Sequence, residues 1–233
     1  LALIGSKDFF DDSIDGQVNV ATANLQPGSS FKPFVYAEAF TKGYNPQTVL
    51  VDAETSFSNG GTDYRPRNYD GKEYGPVSIR QALAGSLNVP AVQALYLAGV
   101  KNVIELAHKI GYTTLNDPDR YGLSLVLGGG EVQLIDHTNG YAALARDGVT
   151  QPYYTVLKVE DAKGNVLEEK EAPKQTRVLE KQVVRQITSI LTDNEARSYI
   201  FGANNYLTLS GRPVAAKTGT TNDYRDSWLM GYT

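Results

Sequence analysis

The spacing of apolar residues changes along this chain, and the order of those changes constrains the fold more than any other feature. From Val77 to Gly148 the apolar residues recur at helical intervals in four short segments. Beyond them, Ala162-Lys163-Gly164-Asn165 separates two short β-prone runs, and Val214–Ala216 and Ser227–Tyr232 are typical of strands. This order predicts an α+β fold in which an antiparallel sheet is flanked by helices and a helical subdomain is inserted at about 77–148.

The remaining elements are predicted from shorter signals. Leu1–Gly5 has the composition of a buried strand, and a helix is indicated from Pro27-Gly28-Ser29 to about Gly43. The segment from Asn45 to Pro76 is rich in Gly, Pro, Asn and Tyr, which predicts a long ordered loop with little regular structure. The apolar residues between Val183 and Leu191 indicate one more amphipathic helix.

Composition and charge exclude several classes of protein. The 233 residues include 22 Lys and Arg against 26 Asp and Glu, so the net charge of −4 offers no basic excess for nucleic acid. No stretch approaches the roughly 18 apolar residues of a membrane span. The chain has no cysteine and only two histidines, His108 and His137, both within predicted helices. We therefore expect no cofactor and no metal, and a structural role for both histidines.

The two ends of the sequence indicate a piece of a longer protein. The chain opens with Leu1 rather than with Met, and its single methionine is Met230. The last residues, Trp228 to Thr233, have strand composition and stop without a turn signal. We therefore expect that the domain is truncated at both sheet edges, and that any membrane anchor lies outside these residues.

Ser29 and Lys32 form the first of three short clusters that carry chemistry. Residues three apart lie on one face of a helix, so the Ser29 hydroxyl and the Lys32 amine can meet, whereas Ser30 points elsewhere. Ser29 is therefore the better candidate nucleophile. Taken alone, the spacing is more typical of a serine that simply caps a helix than of a nucleophile.

The other two clusters follow at a distance. Ser86-Leu87-Asn88 lies between two short helices, where alone it is typical of an ordinary polar turn. Lys217-Thr218-Gly219-Thr220 follows an apolar run, and alone it fits a strand that leads into a turn, although a glycine in a strand can also mark close approach of a ligand to the backbone. All three clusters in this order are typical of penicillin-binding proteins and serine β-lactamases.

The chain resembles the transpeptidase domain of class A penicillin-binding proteins nearly from end to end. The segments that carry the resemblance are Gln26–Phe34, Asn68–Gly71, Tyr74–Val77, Ser86–Ala91, Leu127–Val132 and Lys217–Thr221. It implies a five-stranded antiparallel sheet with helices on both faces, of which this chain lacks the first strand, the last strand and the terminal helix. It also implies an upstream glycosyltransferase domain and anchor, and a location on the outer face of the cytoplasmic membrane.

The chemistry of acyl transfer explains why the serine needs the lysine beside it. A free lysine with a pKa near ~10.4 is neutral at pH 7 only to about one part in 2,500, a deficit of roughly 4.6 kcal/mol. Lys32 must therefore have a lowered pKa to act as a base, and burial and a nearby Lys217 would both lower it. Ser86 between the two lysines could relay a proton to the departing amine.

The resemblance also implies how substrate is held. The backbone N–H groups of Ser29 and Thr220 would stabilise the oxyanion. Asn88 would hold the substrate amide, while Lys217, Thr218 and Thr220, with Gly219 between them, would bind the terminal carboxylate of a D-Ala-D-Ala peptide. The partners implied are peptidoglycan stem peptides and β-lactam antibiotics.

Three activities remain compatible with these clusters. The first is a D,D-transpeptidase that passes an acyl group from Ser29 to an amine. The second is a hydrolase, either a D,D-carboxypeptidase or a serine β-lactamase; a class A β-lactamase needs a deacylating Glu with Asn four residues on, and no Glu between Asn88 and Lys217 has one. The third is a non-catalytic β-lactam sensor. The Tyr-rich loop from Tyr64 to Tyr74 favours the transpeptidase.

Overall fold

The computed structural model describes residues 2–59, 62–221 and 225–233. Six of the seven α-helices in these residues agree with predicted ones, and each helix ends where the sequence places a glycine or a polar turn. The α-helices of these residues are α1 (Lys32–Thr41), α2 (Ile79–Ala84), α3 (Val89–Ala98), α4 (Val100–Ile110), α5 (Leu134–Ala145), α6 (Lys181–Leu191) and α7 (Asn194–Phe201). None of these helices is long and apolar enough to cross a membrane.

The predicted amphipathic helices are confirmed, and α4 shows why. Val103, Leu106, Ala107 and Ile110 are buried on one side of α4, as their spacing predicts. Gly111 ends the helix with a φ of 122°, a left-handed conformation that favours glycine. The same periodicity holds α6 against the core.

The strands of the described residues pair as short antiparallel ladders. They are β1 (Asn24–Leu25), β2 (Val49–Asp52), β3 (Phe57–Asn59), β4 (Thr62–Tyr64), β5 (Gly75–Ser78), β6 (Val132–Gln133), β7 (Val149–Thr150), β8 (Lys158–Glu160), β9 (Val166–Glu169), β10 (Thr176–Arg177), β11 (Ala215–Thr220) and β12 (Ser227–Tyr232). The pairs are β1 with β6, β2 with β5, β3 with β4, β7 with β10, β8 with β9, and β11 with β12. The mixture of helices and antiparallel strands confirms the α+β class.

The β11–β12 ladder carries the third cluster. The predicted strand at Val214–Ala216 extends further than expected, because β11 continues through Lys217 and Gly219 to Thr220. Lys217 pairs with Met230 and Gly219 with Trp228. Every sheet of the described residues has two strands, so the five-stranded sheet that the resemblance implies is not formed within them.

The strand expected at Leu1–Gly5 is wrong for residues 2–5, and Leu1 lies outside the described residues. Residues 2–5 have no strand pairing, and Ile4 is 81% exposed. The carbonyl of Gly5 accepts a hydrogen bond from the N–H of Val20, so this segment bonds to a loop instead of a strand. Apolar composition alone therefore gave a wrong prediction for this segment.

The loop expected from Asn45 to Pro76 contains more regular structure than predicted. β2 and β5 pair across it, and β3 pairs with β4. In β2, Leu50 and Asp52 are buried while Val49 and Val51 are exposed. This alternation spans only four residues, which is too short to stand out beside the turn-forming residues around it.

The core surrounds α1. This helix packs against α3, α4 and α6, and eight of its ten residues are buried, among them Phe34, Val35 and Tyr36. A helix that is enclosed on all sides places its first residue, Lys32, inside the protein as well. The division of the chain into one domain, 1–233, with a helical subdomain at about 77–148, stays a prediction.

Candidate active site

Ser29 lies in a tight turn that packs directly on β11. Residues Gly28–Phe31 form one 3₁₀ turn before α1, and Gly28 has a φ of 57°. A Cβ atom on Gly28 would lie 2.6 Å from the carbonyl oxygen of Thr220, and one on Gly219 would lie 2.1 Å from the carbonyl oxygen of Pro27. The two glycines therefore allow backbone-to-backbone contact, which brings the first and third clusters together.

A third glycine supports the same turn. Gly128 follows the 3₁₀ helix Leu123–Leu127 with a φ of 85°, and a Cβ on it would lie 2.2 Å from the backbone nitrogen of Gly28. Leu127, which lines the cavity, and Gly128, both in the resembling segment Leu127–Val132, therefore lie beside the serine turn.

Lys32 joins the first cluster to the second. It is fully buried, and its Nζ donates hydrogen bonds to the carbonyl oxygens of Ser86 (2.7 Å) and Leu87 (3.1 Å) and to Asn88 Oδ1 (2.8 Å). These acceptors fix the amine beneath the turn that carries Asn88.

Ser86 stands between two amines. Its Oγ accepts a hydrogen bond from Lys217 Nζ at 2.7 Å and a longer one from Lys32 Nζ at 3.4 Å. Ser86 has a φ of 60°, a left-handed conformation that is costly for a residue with a side chain. The strained turn thus aims one hydroxyl at both lysines, and the three clusters form a single site.

Burial governs the protonation of both lysines. It lowers the pKa of Lys32 well below its usual value, and the charge of Lys217 lowers it further. Burial, with a smaller effect of the Arg197 charge, lowers the pKa of Lys217 to about 7. Lys32 Nζ makes three short hydrogen bonds, which match the three N–H bonds of an ammonium ion. A neutral Lys32 has only two N–H bonds, so it must release one of these contacts when its lone pair turns to accept a proton.

Ser29 lines a cavity of about 600 Å³. Within the described part of the chain, Ser29 Oγ makes no hydrogen bond, so its contact with Lys32 stays a prediction. The cavity is lined by Ser29, Tyr69, Gly85, Ser86, Asn88, Leu127, Ile200, Phe201, Thr218, Thr220, Thr221 and Ser227. No Asp or Glu of the described residues is among them.

Two residues that the sequence reasoning did not select hold the second cluster in place. Asn68 Oδ1 accepts a hydrogen bond from the backbone N–H of Asn88 at 2.7 Å, and Asn68 Nδ2 donates to Asp52 Oδ2 at 2.7 Å. Asp52 is fully buried, and burial raises its pKa. The place of Asn68 in one of the resembling segments is the only sequence signal for it.

Helix α7, which the sequence did not predict, supplies one wall of the cavity and a buried cation. Its first turn is capped by the side chain of Asp193, which also binds Arg80 at 2.9 Å. Ile200 and Phe201 at its end line the cavity, and Arg197 is 2% exposed. The helix has little apolar periodicity, so no helical pattern marks it.

This site belongs to a known class of protein domain. The chain matches the family model of the penicillin binding protein transpeptidase domain over residues 1–233, and it is a member of that family. This membership confirms the resemblance that the sequence suggests.

Two relatives are similar to this chain over all or nearly all of its length. It is 34% identical to penicillin-binding protein 1A of Aquifex aeolicus over 99% of this chain and 30% of that protein, and 30% identical to penicillin-binding protein 1A of Rickettsia felis over 100% of this chain and 31% of that protein. The chain therefore spans about a third of the length of these curated relatives.

Solved structures agree on the fold. The penicillin-binding protein PonA1 of Mycobacterium tuberculosis in complex with penicillin V has a TM-score of 0.78 and 29% identity, over 92% of this chain and 59% of that one. Penicillin-binding protein A of M. tuberculosis, as an imipenem acyl-enzyme complex, has a TM-score of 0.81 at 19% identity, over 100% of this chain and 61% of that one. The second likeness concerns the fold alone.

Proposed function

We propose that this chain is the D,D-transpeptidase part of a peptidoglycan-synthesising enzyme, in which Ser29 carries the acyl group. The observation that carries the proposal is the position of Ser86 Oγ, which is hydrogen-bonded to both Lys32 and Lys217 next to a cavity that Ser29 lines. Two buried amines joined by a hydroxyl form a path along which a proton can leave a nucleophile and reach a leaving group.

The first half-reaction forms an ester on Ser29. As Ser29 Oγ attacks the carbonyl carbon between the two D-alanines, its proton passes to the neutral amine of Lys32. The backbone N–H groups of Ser29 and Thr220 stabilise the oxyanion, since the turn at Gly28 lies against Thr220. The C–N bond then breaks, and the terminal D-alanine leaves with a proton delivered through Ser86 Oγ.

The second half-reaction transfers the acyl group to an amine. The amine of a neighbouring stem peptide attacks the ester carbonyl and gives up a proton to the basic groups around Ser86. The ester C–O bond breaks, Ser29 regains its proton, and a new amide joins the two stems. None of the described residues that line the cavity is a carboxylate that could activate water, which supports transfer to an amine over hydrolysis.

The terminal carboxylate of the donor fits the edge of β11. Lys217 offers a cation beside Ser86, and Thr218 and Thr220, which line the cavity on either side of Gly219, offer hydroxyl groups. Asn88 also lines the cavity, and its Nδ2 donates to the carbonyl oxygen of Arg67 at 2.8 Å. We propose that Asn88 holds the substrate amide from this position.

The wider setting of the enzyme is part of the proposal. We expect β-lactams, which resemble the donor, to acylate Ser29; the related PonA1 of Mycobacterium tuberculosis is known in complex with penicillin V. The relatives named penicillin-binding protein 1A are about three times as long as this chain, which supports an upstream glycosyltransferase domain and membrane anchor. The site would then act on the outer face of the cytoplasmic membrane, in the periplasm or cell-wall space.

Product analysis after acylation tests this function. The complete protein is given a donor that ends in D-Ala-D-Ala, with and without an amine acceptor, and in a separate reaction a fluorescent penicillin. We expect an amine-exchanged product and a penicilloyl adduct that lasts many minutes. Rapid multiple turnover of penicillin, or release of D-alanine without amine product, would identify a hydrolase; a stable adduct with no reaction of the donor would identify a sensor.

A further inference from the structure

Ser30, the residue after the nucleophile, is held at each of its polar backbone and side-chain atoms. Its N–H and its Oγ both donate to the carbonyl oxygen of Pro27, at 3.3 Å and 2.6 Å. Its own carbonyl oxygen accepts a hydrogen bond from the hydroxyl of Tyr141 at 2.8 Å. Ser29 lies between Pro27 and Ser30 and lacks a side-chain hydrogen bond within the described residues, so its position is set by its neighbours.

A fully buried histidine completes this arrangement. His137 on α5 places its Nε2 atom 2.8 Å from Ser30 Oγ and its Nδ1 atom 2.6 Å from the hydroxyl of Tyr112. Burial lowers the pKa of His137 to about 3, so the ring is neutral throughout the working pH range. Phe34, Tyr141 and Trp228 contact the ring with centroid distances of 5.8, 5.3 and 5.4 Å.

The directions of these hydrogen bonds follow from the number of donors. The single hydroxyl proton of Ser30 goes to Pro27, so Ser30 Oγ must accept from His137 Nε2–H. Nδ1 then carries a lone pair, which accepts the proton of Tyr112. The reverse order would leave the buried Tyr112 hydroxyl with no acceptor among the described residues, so this head-to-tail chain is the arrangement that satisfies every donor.

We propose that Tyr112, His137 and Ser30 form a buried hydrogen-bonded relay that positions Ser29 for acylation, with His137 as the central positioning residue. The relay rests on the function proposed above, and it adds to it a group that never touches substrate. It ties the turn of Ser29, which packs on β11, to α5. The turn is therefore held by contacts with both a helix and a strand, so that Ser29 keeps its place relative to Lys32 and Thr220.

The effect of losing the relay can be judged from the tolerance of acyl transfer to geometry. A displacement of about 1 Å in a reacting group can cost on the order of 10²-fold in rate. Ser30 Oγ would also lie 2.9 Å from a Cβ on Gly219, so movement of Ser30 changes the contact between the turn and β11. Loss of the donor at His137 should thus lower the rate of acylation and leave non-covalent binding of penicillin nearly unchanged.

Paired substitutions at His137 test the relay in the complete protein. The amide nitrogen of Gln can occupy the place of Nε2 and donate to Ser30 Oγ, whereas Leu fills a similar volume without a donor. With a fluorescent penicillin, the acylation rate constant and the dissociation constant of the preceding complex are measured separately, per active site. We expect His137→Leu to lower the rate constant about 10- to 100-fold, Tyr112→Phe to lower it less, and His137→Gln to restore most of it.

Controls separate positioning from folding and from the proposed chemistry. The substitution His108→Gln changes an exposed histidine that binds the carbonyl of Thr114, and it should leave the rate unchanged. A His137→Leu protein that is less stable to heat but acylates at the wild-type rate overturns the relay, as does a His137→Gln protein no faster than His137→Leu. If instead Ser29→Ala is labelled like the wild type, the proposed function itself fails.

Discussion

Gly219 offers the sharpest test of how closely the serine turn must lie on β11. A Cβ at this position would be 2.1 Å from the carbonyl oxygen of Pro27, while ordinary contact begins at 3.4 Å. The substitution Gly219→Ala therefore requires the turn and the strand to separate by about 1.3 Å. Gly219 does not have a left-handed φ, so alanine adds no backbone strain there, and its effect comes from this contact.

A separation of this size moves Ser29 relative to Thr220, the two residues whose N–H groups we propose as the oxyanion donors. We expect the second-order rate constant for acylation by a fluorescent penicillin to fall about 10²-fold or more. The rate is followed by the fluorescence of the protein band over time. Circular dichroism verifies that the variant is folded at the assay temperature.

Gly231 provides a matched control on the neighbouring strand. It also lacks a left-handed φ, and a Cβ on it would lie 3.0 Å from the carbonyl oxygen of Ala215, which needs a shift of only a few tenths of an ångström. Gly231→Ala should acylate within about threefold of the wild type. A folded Gly219→Ala protein that acylates as fast as Gly231→Ala would refute the argument from close approach.

Further substitutions test the charges and the support of the site. Lys32→Arg keeps a cation that cannot lose its proton at working pH, so acylation should fall by several orders of magnitude in the same fluorescence assay without unfolding; a near-normal rate would remove Lys32 from the proton path. Arg197→Met removes a positive charge near Lys217, so the pKa of Lys217 should rise from about 7. The alkaline limb of the acylation pH profile should then move to higher pH. A limb that stays in place or moves to lower pH would contradict this electrostatic role of Arg197. Asn68→Ala leaves the backbone N–H of Asn88 without its acceptor, so the free energy of unfolding should fall by about 1–3 kcal/mol. The melting temperature and the affinity for penicillin should fall with it. An unchanged melting temperature would contradict the supporting role of Asn68.

The sequence predicts the fold where elements have strong local signals. Helices such as α4 and α6 are found because their apolar stripes repeat over about three turns. The segment at residues 2–5 and the short strand β2 are misjudged, because a run of four or five residues does not say whether a partner strand exists. Helix α7 escapes because it is fixed by its Asp193 cap and by neighbours rather than by an apolar face.

The residues of the site likewise fall into those that the sequence predicts and those that it does not. The three clusters are visible because acyl transfer demands particular residue types at short spacings. In the structure, the amines of Lys32 and Lys217 both donate hydrogen bonds to Ser86 Oγ. The supporting residues are invisible because they meet only through the fold. His137 reaches Ser30 across 107 positions of the chain, and no local pattern encodes such a contact.

Identification of the acylated residue tests the central claim most directly. The protein is incubated with penicillin, digested, and the penicilloyl peptide is sequenced by mass spectrometry, in parallel for the wild type, Ser29→Ala and Ser30→Ala. We predict an adduct on Ser29 in the wild type, none in Ser29→Ala, and a more slowly formed adduct that is still on Ser29 in Ser30→Ala. An adduct on Ser30 or Ser86 in the wild type would contradict the assignment of Ser29 as the nucleophile.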